Sequence, residues 1–371
     1  MKHRISMKKS MFTIIALIAM LALSSCGFPG ITSTSAQLPV VSTTPQAQSL
    51  PPVRFPEDEG AHNDLTEWWY YTGHLSAIDA QGPHTYGFEL VIFQALRNGF
   101  PPVYAAHFAI SDITRGQFHF AQQRVLEPNA VIPNGTSTQG INEHVGTWTI
   151  QGLNGLDHLH ADMPNYTIQL NLQGLKPATL HNGNGLITYG VGGFSYYYSR
   201  TRMAVSGSII DHNQTYSVTG LAWMDHQWGN FLSLGGGGWD WYSIQLHNNT
   251  EMMLYFLHDA NGNVTSTYAD YIDANSKDYL IPTSAVHDTV LGHWASPVTH
   301  ANYPSGWKLA IDDPHVQLSL TITPLLKDQE LVVYQSTGNS YWEGAVGIQG
   351  QHAGVAIQGE GYVELTGYTH A

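Results

Sequence analysis

The sequence predicts an all-β fold of antiparallel barrels. Residues 166–172 and 316–323 alternate apolar with polar side chains, which is the period of a strand with one buried face. Asparagine–glycine pairs of the hairpin-turn type recur between such runs, beginning at Asn154, Asn182, Asn184 and Asn261. The 37 glycines and 18 prolines interrupt the chain too often for long helices. Short antiparallel strands of this kind close into barrels or stack as sandwiches, and of the two we favour barrels.

The first 25 residues have the pattern of an export signal. Four basic residues precede an apolar run from position 11 to 23, which is too short to cross a bilayer. The run ends in Leu23-Ser24-Ser25-Cys26-Gly27, which resembles a bacterial lipobox. We therefore expect lipidation of Cys26 and an exported, membrane-anchored lipoprotein that faces outside the cytoplasm. The alternative is an ordinary signal peptide followed by a stray thiol.

The next segment, residues 26–52, is predicted to be a disordered tether. From residue 31 onward it consists mostly of Ser, Thr, Pro, Gln and Ala, a composition that buries little apolar surface. Cys26 is the only cysteine, so no disulfide can form within the chain. The folded part must therefore be held together by its hydrophobic core.

About 320 residues follow the tether, which is more than one core usually organises. We expect one barrel over residues 53–222 and a second over residues 223–371. The glycine run at 235–238 is interpreted as a flexible crossing between them.

Charge limits the range of partners. The chain has 28 acidic and 14 basic residues, and cleavage of the signal would remove four of the basic ones. Nucleic acid is therefore an unfavourable partner, and an anionic membrane surface would repel the protein. We expect membrane attachment through the N-terminal lipid only, while the oligomeric state is left open.

Two aromatic-rich stretches carry acidic residues. If residues 67–74 form a strand, Glu67 shares one face with Trp69 and Tyr71, while Trp68 and Tyr70 occupy the other. Because both faces are aromatic, this strand is expected to lie between a barrel interior and the neighbouring domain. In the second stretch, by the same alternation, Asp225 shares a face with Trp223 and Gln227, and His226 points with Met224 and Trp228.

Six motifs together resemble the carotenoid 1,2-hydratase family, the AttH-like lipocalin group, whose members are often labelled secreted hydrolases. The resemblance covers nearly all of residues 55–370 in order, and it implies two lipocalin-like antiparallel β-barrels packed side by side. The motifs are residues 67–75 with 86–90, residues 196–203, residues 223–229, residues 303–307, residues 341–345 and residues 361–368.

The resemblance also implies a type of reaction. Members of the group are similar to hydratases that add water to an isolated alkene, and to enzymes that hydrate or cyclise terpenoid or polyketide-like substrates. In the hydratase branch the aspartate of the motif matching Trp223-Met224-Asp225 is the proposed proton donor, so the resemblance implies that role for Asp225. The branch also uses a histidine upstream, whereas residues 196–198 here are all tyrosine.

Alkene protonation needs an acid that keeps its proton, aromatic faces for the cation and little stray water. We expect a hydratase-type lyase that uses no metal or organic cofactor. The candidate catalytic residues are Asp225, His226 and Glu67. The candidate substrate-binding residues are Trp69, Tyr71, Tyr196, Tyr198, Trp223 and Trp239. Fold maintenance is expected from Glu343, Glu360 and Glu364.

Other readings of these residues remain open. Asp225 can instead pair with Arg200 or Arg202, and most of the aromatic residues can be core. His158 and His160 share one face of a predicted strand, but no third metal ligand accompanies them at a suitable spacing. The alternative function is a lipocalin-type carrier of a hydrophobic small molecule. An Asp225 that faces an apolar cavity without a cationic partner would favour the enzyme.

Overall fold

The computed structural model describes residues 50–80, 82–127, 139–231 and 237–369. The predicted signal peptide, Cys26 and nearly all of the tether lie outside the described residues. Within the described ranges, no helix is long and apolar enough to cross a membrane.

The described chain is almost entirely strand, and it forms two large curled antiparallel sheets. The first sheet is a nearly closed barrel, the second a half-barrel, and the predicted all-β fold of two barrel-like units is confirmed. In the described part of the chain, helix is limited to four single turns of 3-10 type, at Glu57–Glu59, His181–Gly183, Gly190–Gly192 and Thr283–Ala285.

The first sheet has twelve strands in the order β4-β3-β2-β1-β12-β11-β8-β7-β6-β5, with β9 and β10 added to β11. Their bounds are β1 (Thr66–Asp79), β2 (Gly82–Ala95), β3 (Val103–Asp112), β4 (Gln117–Leu126), β5 (Ile141–Val145), β6 (Trp148–Leu153), β7 (Leu156–Met163), β8 (Tyr166–Gly174), β9 (Thr179–Leu180), β10 (Leu186–Thr188), β11 (Gly193–Asp211) and β12 (Gln214–Phe231).

The second sheet runs β16-β15-β14-β13-β24-β23-β21-β20-β17, with β22 on β23, while β18 and β19 pair separately. The bounds are β13 (Gly238–Leu246), β14 (Thr250–His258), β15 (Val264–Ile272), β16 (Asp278–Leu280), β17 (Val286–Val290), β18 (His293–Ala295), β19 (Asn302–Pro304), β20 (Trp307–Asp313), β21 (Val316–Pro324), β22 (Glu330–Val332), β23 (Ser340–His352) and β24 (Val355–Thr366). The chain passes from the first sheet to the second between Phe231 and Gly238, and the domain limits given above remain predictions.

The strand patterns that the sequence showed are reproduced. β8 and β21 alternate buried with more accessible side chains, so each has one face on a core. Asn154 and Gly155 both have positive φ and join β6 to β7 as a two-residue hairpin. The expected hairpin at Asn182 is instead part of a 3-10 turn, because β9 and β10 pair with β11 and not with each other.

Each sheet has its own apolar core, and a third apolar cluster fills the junction between the sheets. The junction cluster takes residues from both sheets, including Tyr70, Trp223, Trp241 and Tyr362. Gly87 on β2 permits this close packing, since a Cβ there would lie 2.4 Å from the Tyr362 hydroxyl. The wall between the first core and the junction is the β1–β12 strand pair.

Candidate functional site

The β1–β12 wall has two chemically different faces. In its register Tyr70 pairs with Asp225 and Trp69 pairs with His226, and neighbouring pairs point to opposite sides. One face contributes Tyr70 and Trp223 to the junction cluster, and the other contributes Trp69 to the barrel core. The buried position expected for residues 67–74, between a barrel interior and the neighbouring unit, is confirmed.

The wall divides the residues that the sequence nominated for a single site. Asp225, Trp223 and Trp239 lie at the junction. The others lie on the barrel-interior side, and they are Glu67, Trp69, Tyr71, Tyr196, Tyr198 and His226. Asp225 and His226 are therefore neighbours in sequence but belong to two different polar clusters.

A cavity of about 50 Å³ lies at the junction beside Asp225. Its aromatic lining comes from both sheets: Trp68, Tyr70, Phe93, Tyr197, Trp239, Trp241, Tyr255 and Tyr341. Three carboxyl side chains also line it, from Glu89, Asp225 and Glu364. Glu343 lies close by, with its Oε1 accepting a hydrogen bond of 2.7 Å from Tyr70.

Asp225 accepts three hydrogen bonds and is buried. Tyr197 Oη donates to Oδ2 at 2.5 Å, Trp223 Nε1 donates to Oδ1 at 2.6 Å, and the Ser199 hydroxyl also donates to Oδ1. Burial raises the pKa of Asp225 above its usual value, although His181 and these donors act against the rise.

The two arginines that offered the competing explanation for Asp225 bind elsewhere. Arg200 forms an ion pair with Glu59, and Arg202 forms one with Glu251. Within the described residues, no Lys or Arg lies within ion-pair distance of Asp225. The aspartate therefore faces an aromatic cavity without a Lys or Arg partner among the described residues.

Three other carboxyl groups at the junction also have raised pKa values, so a larger share of each is protonated near neutral pH than in water. Burial raises the pKa of Glu89 to about 8 and that of Glu364 to about 7. Burial together with the charge of Glu89 raises the pKa of Glu343 well above its usual value. Glu343 and Glu364, from which fold maintenance was expected, thus belong to this acid cluster, whereas Glu360 has a half-exposed side chain.

A second polar cluster lies on the barrel side of the wall. Glu67 Oε1 contacts His62 Nδ1 at 2.7 Å and His226 Nε2 at 2.8 Å. Its Oε2 accepts hydrogen bonds from the His62 backbone N–H and from Gln94. Burial alone would lower the pKa of His62, but the nearby carboxylates of Asp58 and Glu67 raise it to about 9. The group is a buried ion pair with a neutral histidine beside it.

This second cluster is also where the described residues could hold a metal ion. One donor atom each from His62, Glu67 and His226 lies within 4.8 Å of the others. As the side chains stand, Glu67 Oε1 is hydrogen-bonded to one ring nitrogen of each histidine. His158 and His160, the pair noted in the sequence, lie on β7, where His158 is exposed and bonds to Asn171.

Sequence reasoning missed Tyr197, Glu89 and Tyr341. The candidates were its neighbours Tyr196 and Tyr198, but of the three tyrosines only Tyr197 lies on the face of β11 that points to Asp225. Glu89 and Tyr341 both stand inside motifs that the sequence analysis quoted, so the signal was present. Nothing in the sequence indicated that β2 of the first sheet packs against β23 of the second.

The raised carboxyl pKa values make a prediction about stability. An acid whose pKa is higher in the folded than in the unfolded state stabilises the fold below its unfolded pKa, and this stabilisation is lost as pH rises through the folded value. For Glu364 that window runs from about 4.5 to about 7. Glu364→Gln cannot ionise, so its stability relative to wild type should increase between pH 5 and pH 9, as measured by urea unfolding. A constant difference across that range would contradict a buried, proton-retaining Glu364.

The sequence matches the AttH-like family over residues 46–368. The crystal structure of the AttH protein NE1406 from Nitrosomonas europaea is 29% identical and has a TM-score of 0.76, covering 86% of this chain and 98% of that one. Kievitone hydratase from Nectria haematococca is 17% identical with a TM-score of 0.66, covering 86% and 94%. CghA is 12% identical with a TM-score of 0.54, covering 87% and 96%. Among curated proteins, none matched.

Proposed function

The chain belongs to the AttH-like family, and from that premise we propose that it is an enzyme that hydrates or cyclises an apolar alkene by acid catalysis at the junction of its two sheets. The observation that carries the proposal is the carboxyl cluster of Asp225, Glu89, Glu343 and Glu364, which is buried among aromatic rings without a Lys or Arg partner in the described residues. The hydratase among the structural neighbours supports the type of reaction. At 17% identity the likeness to that neighbour establishes the fold alone.

The chemistry of hydration matches what the junction offers. Protonation of an alkene needs a neutral acid, and capture of the resulting cation by water needs a base to take the water's proton. Two carboxyl groups in unlike environments supply such a pair, and Asp225 and Glu89 line the same cavity. The faces of Trp68, Trp239 and Trp241 can each stabilise the cation by about 0.5–2 kcal/mol.

The lining also indicates the class of substrate. Carboxyl groups with no accompanying Lys or Arg would repel a phosphate or carboxylate, so the substrate should be uncharged. A branched alkene of the terpenoid or polyketide-like kind would give a tertiary cation that the aromatic faces can stabilise. Because ligand pockets usually measure about 300–1,000 Å³, the cavity of about 50 Å³ must widen to admit it.

A carrier function is the second candidate, and one observation favours it. A cleft of about 690 Å³ is formed by residues of the second unit, among them Phe256, His258 and Tyr368. Its size suits a small-molecule ligand. Asp225 lies outside it, so a protein that only carries a ligand there would be indifferent to changes at Asp225.

The cellular location belongs to the same proposal. The basic N-terminus, the short apolar run and Cys26 in its lipobox-like setting support an exported lipoprotein held at the membrane by its lipid. An apolar substrate would be concentrated in that membrane.

The test is untargeted mass spectrometry of lipid extracts incubated with the wild type and with Asp225→Asn. We expect one alkene to be consumed by the wild type alone, with a product heavier by one water or isomeric with it. A molecule that both proteins bind and return unchanged would instead establish the carrier. If neither protein consumes or binds any component, both candidates fail.

A further inference from the structure

The hydrogen bonds at Asp225 are oriented so that they stabilise its carboxylate. Trp241 Nε1 donates to Tyr197 Oη at 2.9 Å, and because an indole N–H can only donate, the Tyr197 hydroxyl hydrogen is free to point at Asp225. Ser199 is placed in a similar way, since its hydroxyl lies 2.6 Å from His181 Nε2 while His181 Nδ1 lies 3.0 Å from Asp270.

Burial lowers the pKa of His181, but the charge and hydrogen bond of Asp270, together with the charges of Asp225 and Asp278, raise it overall. A protonated His181 donates to Ser199 and leaves the Ser199 hydroxyl hydrogen for Asp225. Asp225 therefore faces three donors, and accepting two or three hydrogen bonds favours the ionised form of a carboxyl group.

Glu89 has the opposite environment. It is 1% exposed, and its Oε1 has one partner, Tyr341 Oη at 2.7 Å. Among the described residues its Oε2 is buried without any hydrogen-bond partner. A buried carboxyl oxygen with no donor penalises the charged form. Asp225 and Glu89 both line the cavity, and of these two Glu89 is the one that keeps its proton.

A chain of hydrogen bonds leads away from Glu89. Tyr341 Oη lies 2.7 Å from His107 Nδ1, and His107 Nε2 lies 2.9 Å from Ser336 Oγ. The Ser336 hydroxyl donates to Gln122 Oε1 at 2.8 Å, and Gln122 is partly accessible. Burial lowers the pKa of His107 to about 3, so this imidazole is neutral and can either accept or donate at each nitrogen.

This series of hydrogen bonds can form whether Glu89 is ionised or protonated. When Glu89 is ionised, Tyr341 donates to it and His107 donates to Tyr341. When Glu89 is protonated, the directions reverse: Glu89 donates to Tyr341, Tyr341 donates to His107, and His107 donates to Ser336. The Ser336 hydroxyl then donates to Gln122. A concerted shift along these hydrogen bonds can therefore carry a proton from Ser336 to Glu89 without any heavy atom moving far. The Gln122 amide oxygen only accepts, so Ser336 must regain its proton from water that enters beside the partly accessible Gln122.

We infer that Glu89 is the proton donor of the junction site, that Tyr341, His107 and Ser336 return a proton to it, and that the Asp225 carboxylate is the complementary base. The inference rests on the proposed function and assigns the direction of proton flow within it. It reverses the donor role that the family resemblance implied for Asp225.

Hydration by these two groups conserves atoms, electrons and protons. The alkene π pair takes the Glu89 proton to form a C–H bond and leaves a carbocation. A water oxygen then forms the C–O bond, and Asp225 takes the excess proton. Glu89 regains one proton through the chain and Asp225 releases one, so the net reaction is alkene plus water to alcohol.

Several titratable groups face Glu89 and influence its pKa. Burial raises the pKa of Glu89, the hydrogen bond from Tyr341 opposes the rise, and the charge of Glu364 adds to it, which gives a pKa of about 8. The groups that face or interact with it are Tyr70 on β1, His107 on β3, Tyr341 and Glu343 on β23, and Tyr362 and Glu364 on β24.

The first arm of the test needs no substrate. Infrared spectra of the wild type and Glu89→Gln at pH 7 should differ by the loss of one carbonyl band of a protonated carboxylic acid. In the wild type this band should titrate near pH 8, and in Tyr341→Phe it should titrate at higher pH because a hydrogen bond to the carboxylate is gone. Glu360→Gln, on the same strand as Glu364 but half-exposed, should leave the band unchanged. Loss of a carboxylate band in Glu89→Gln would overturn the inference.

The second arm uses the alkene that the wild type consumes in the lipid-extract screen. Turnover of this alkene by the wild type should fall above about pH 8. In Tyr341→Phe this alkaline limb of the pH–rate profile should shift to higher pH. Glu89→Gln should lower kcat by about 10²–10⁴-fold. Activity retained by Glu89→Gln with the limb in place would overturn the donor role. If no alkene is consumed, the proposed function fails, while the infrared arm still decides whether Glu89 holds a proton.

Discussion

Asp225→Asn is expected to lower kcat for the alkene substrate by about 10²–10⁴-fold, which is the usual contribution of a positioned acid or base. The amide cannot take a proton from water, yet its oxygen can still accept the hydrogen bonds of Trp223 and Ser199. The fold should therefore persist, and the loss should appear in kcat with a small change in KM. Steady-state kinetics with the substrate from the lipid-extract screen measure both constants.

The matched control for this change is Asp312→Asn, which alters an exposed aspartate on β20. It should retain the wild-type kcat, and both variants should keep the wild-type near-ultraviolet circular dichroism. An Asp225→Asn protein that folds and turns over normally would remove Asp225 from the reaction, whatever the role of Glu89.

Glu251→Gln is expected to reduce the free energy of unfolding by about 3–5 kcal/mol, the cost of removing one partner from a buried ion pair. Glu251 is 1% exposed and binds two cations. Lys176 Nζ lies 2.6 Å from its Oε2, and Arg202 forms an ion pair with Oε1. Both cations come from the first unit, whereas Glu251 is on β14 of the second sheet, so the change leaves two buried positive charges at the interface without an anion.

Urea unfolding at pH 7 measures this loss, with Glu127→Gln as an exposed control that should stay within about 0.5 kcal/mol of wild type. A reduction below about 1 kcal/mol for Glu251→Gln would show that water or other polar groups replace the lost charge. Such a result would make the ion pair a poor explanation of how the two sheets are held together.

Local sequence patterns predicted the fold because they report on single strands. The alternation in β8 and β21 and the two-residue turn at Asn154 depend only on neighbours in the chain. The alternation of side chains along a strand also predicted correctly that Asp225 and His226 lie on opposite faces, as do Glu67 and Trp68. Each of these inferences needs only the twofold period of a strand.

The composition of the site could not be predicted in the same way, because it depends on which strands meet. Tyr197 rather than Tyr196 or Tyr198 faces Asp225 because of the β11–β12 register, which shifts between Arg200 and Met203. Glu89 reaches the cavity because β2 packs against β23 and β24. No local pattern encodes a contact between residues 89 and 341.

The β1–β12 wall makes the spacing of its residues as important as their identity. Loss or gain of one residue within β12 would turn Asp225 toward the barrel interior and bring His226 to the junction, exchanging the contents of two compartments at once. A substitution that leaves the length of the strand unchanged alters only the compartment that its side chain faces. Natural variation along this strand pair should therefore consist of exchanges of side chains and not of changes in length.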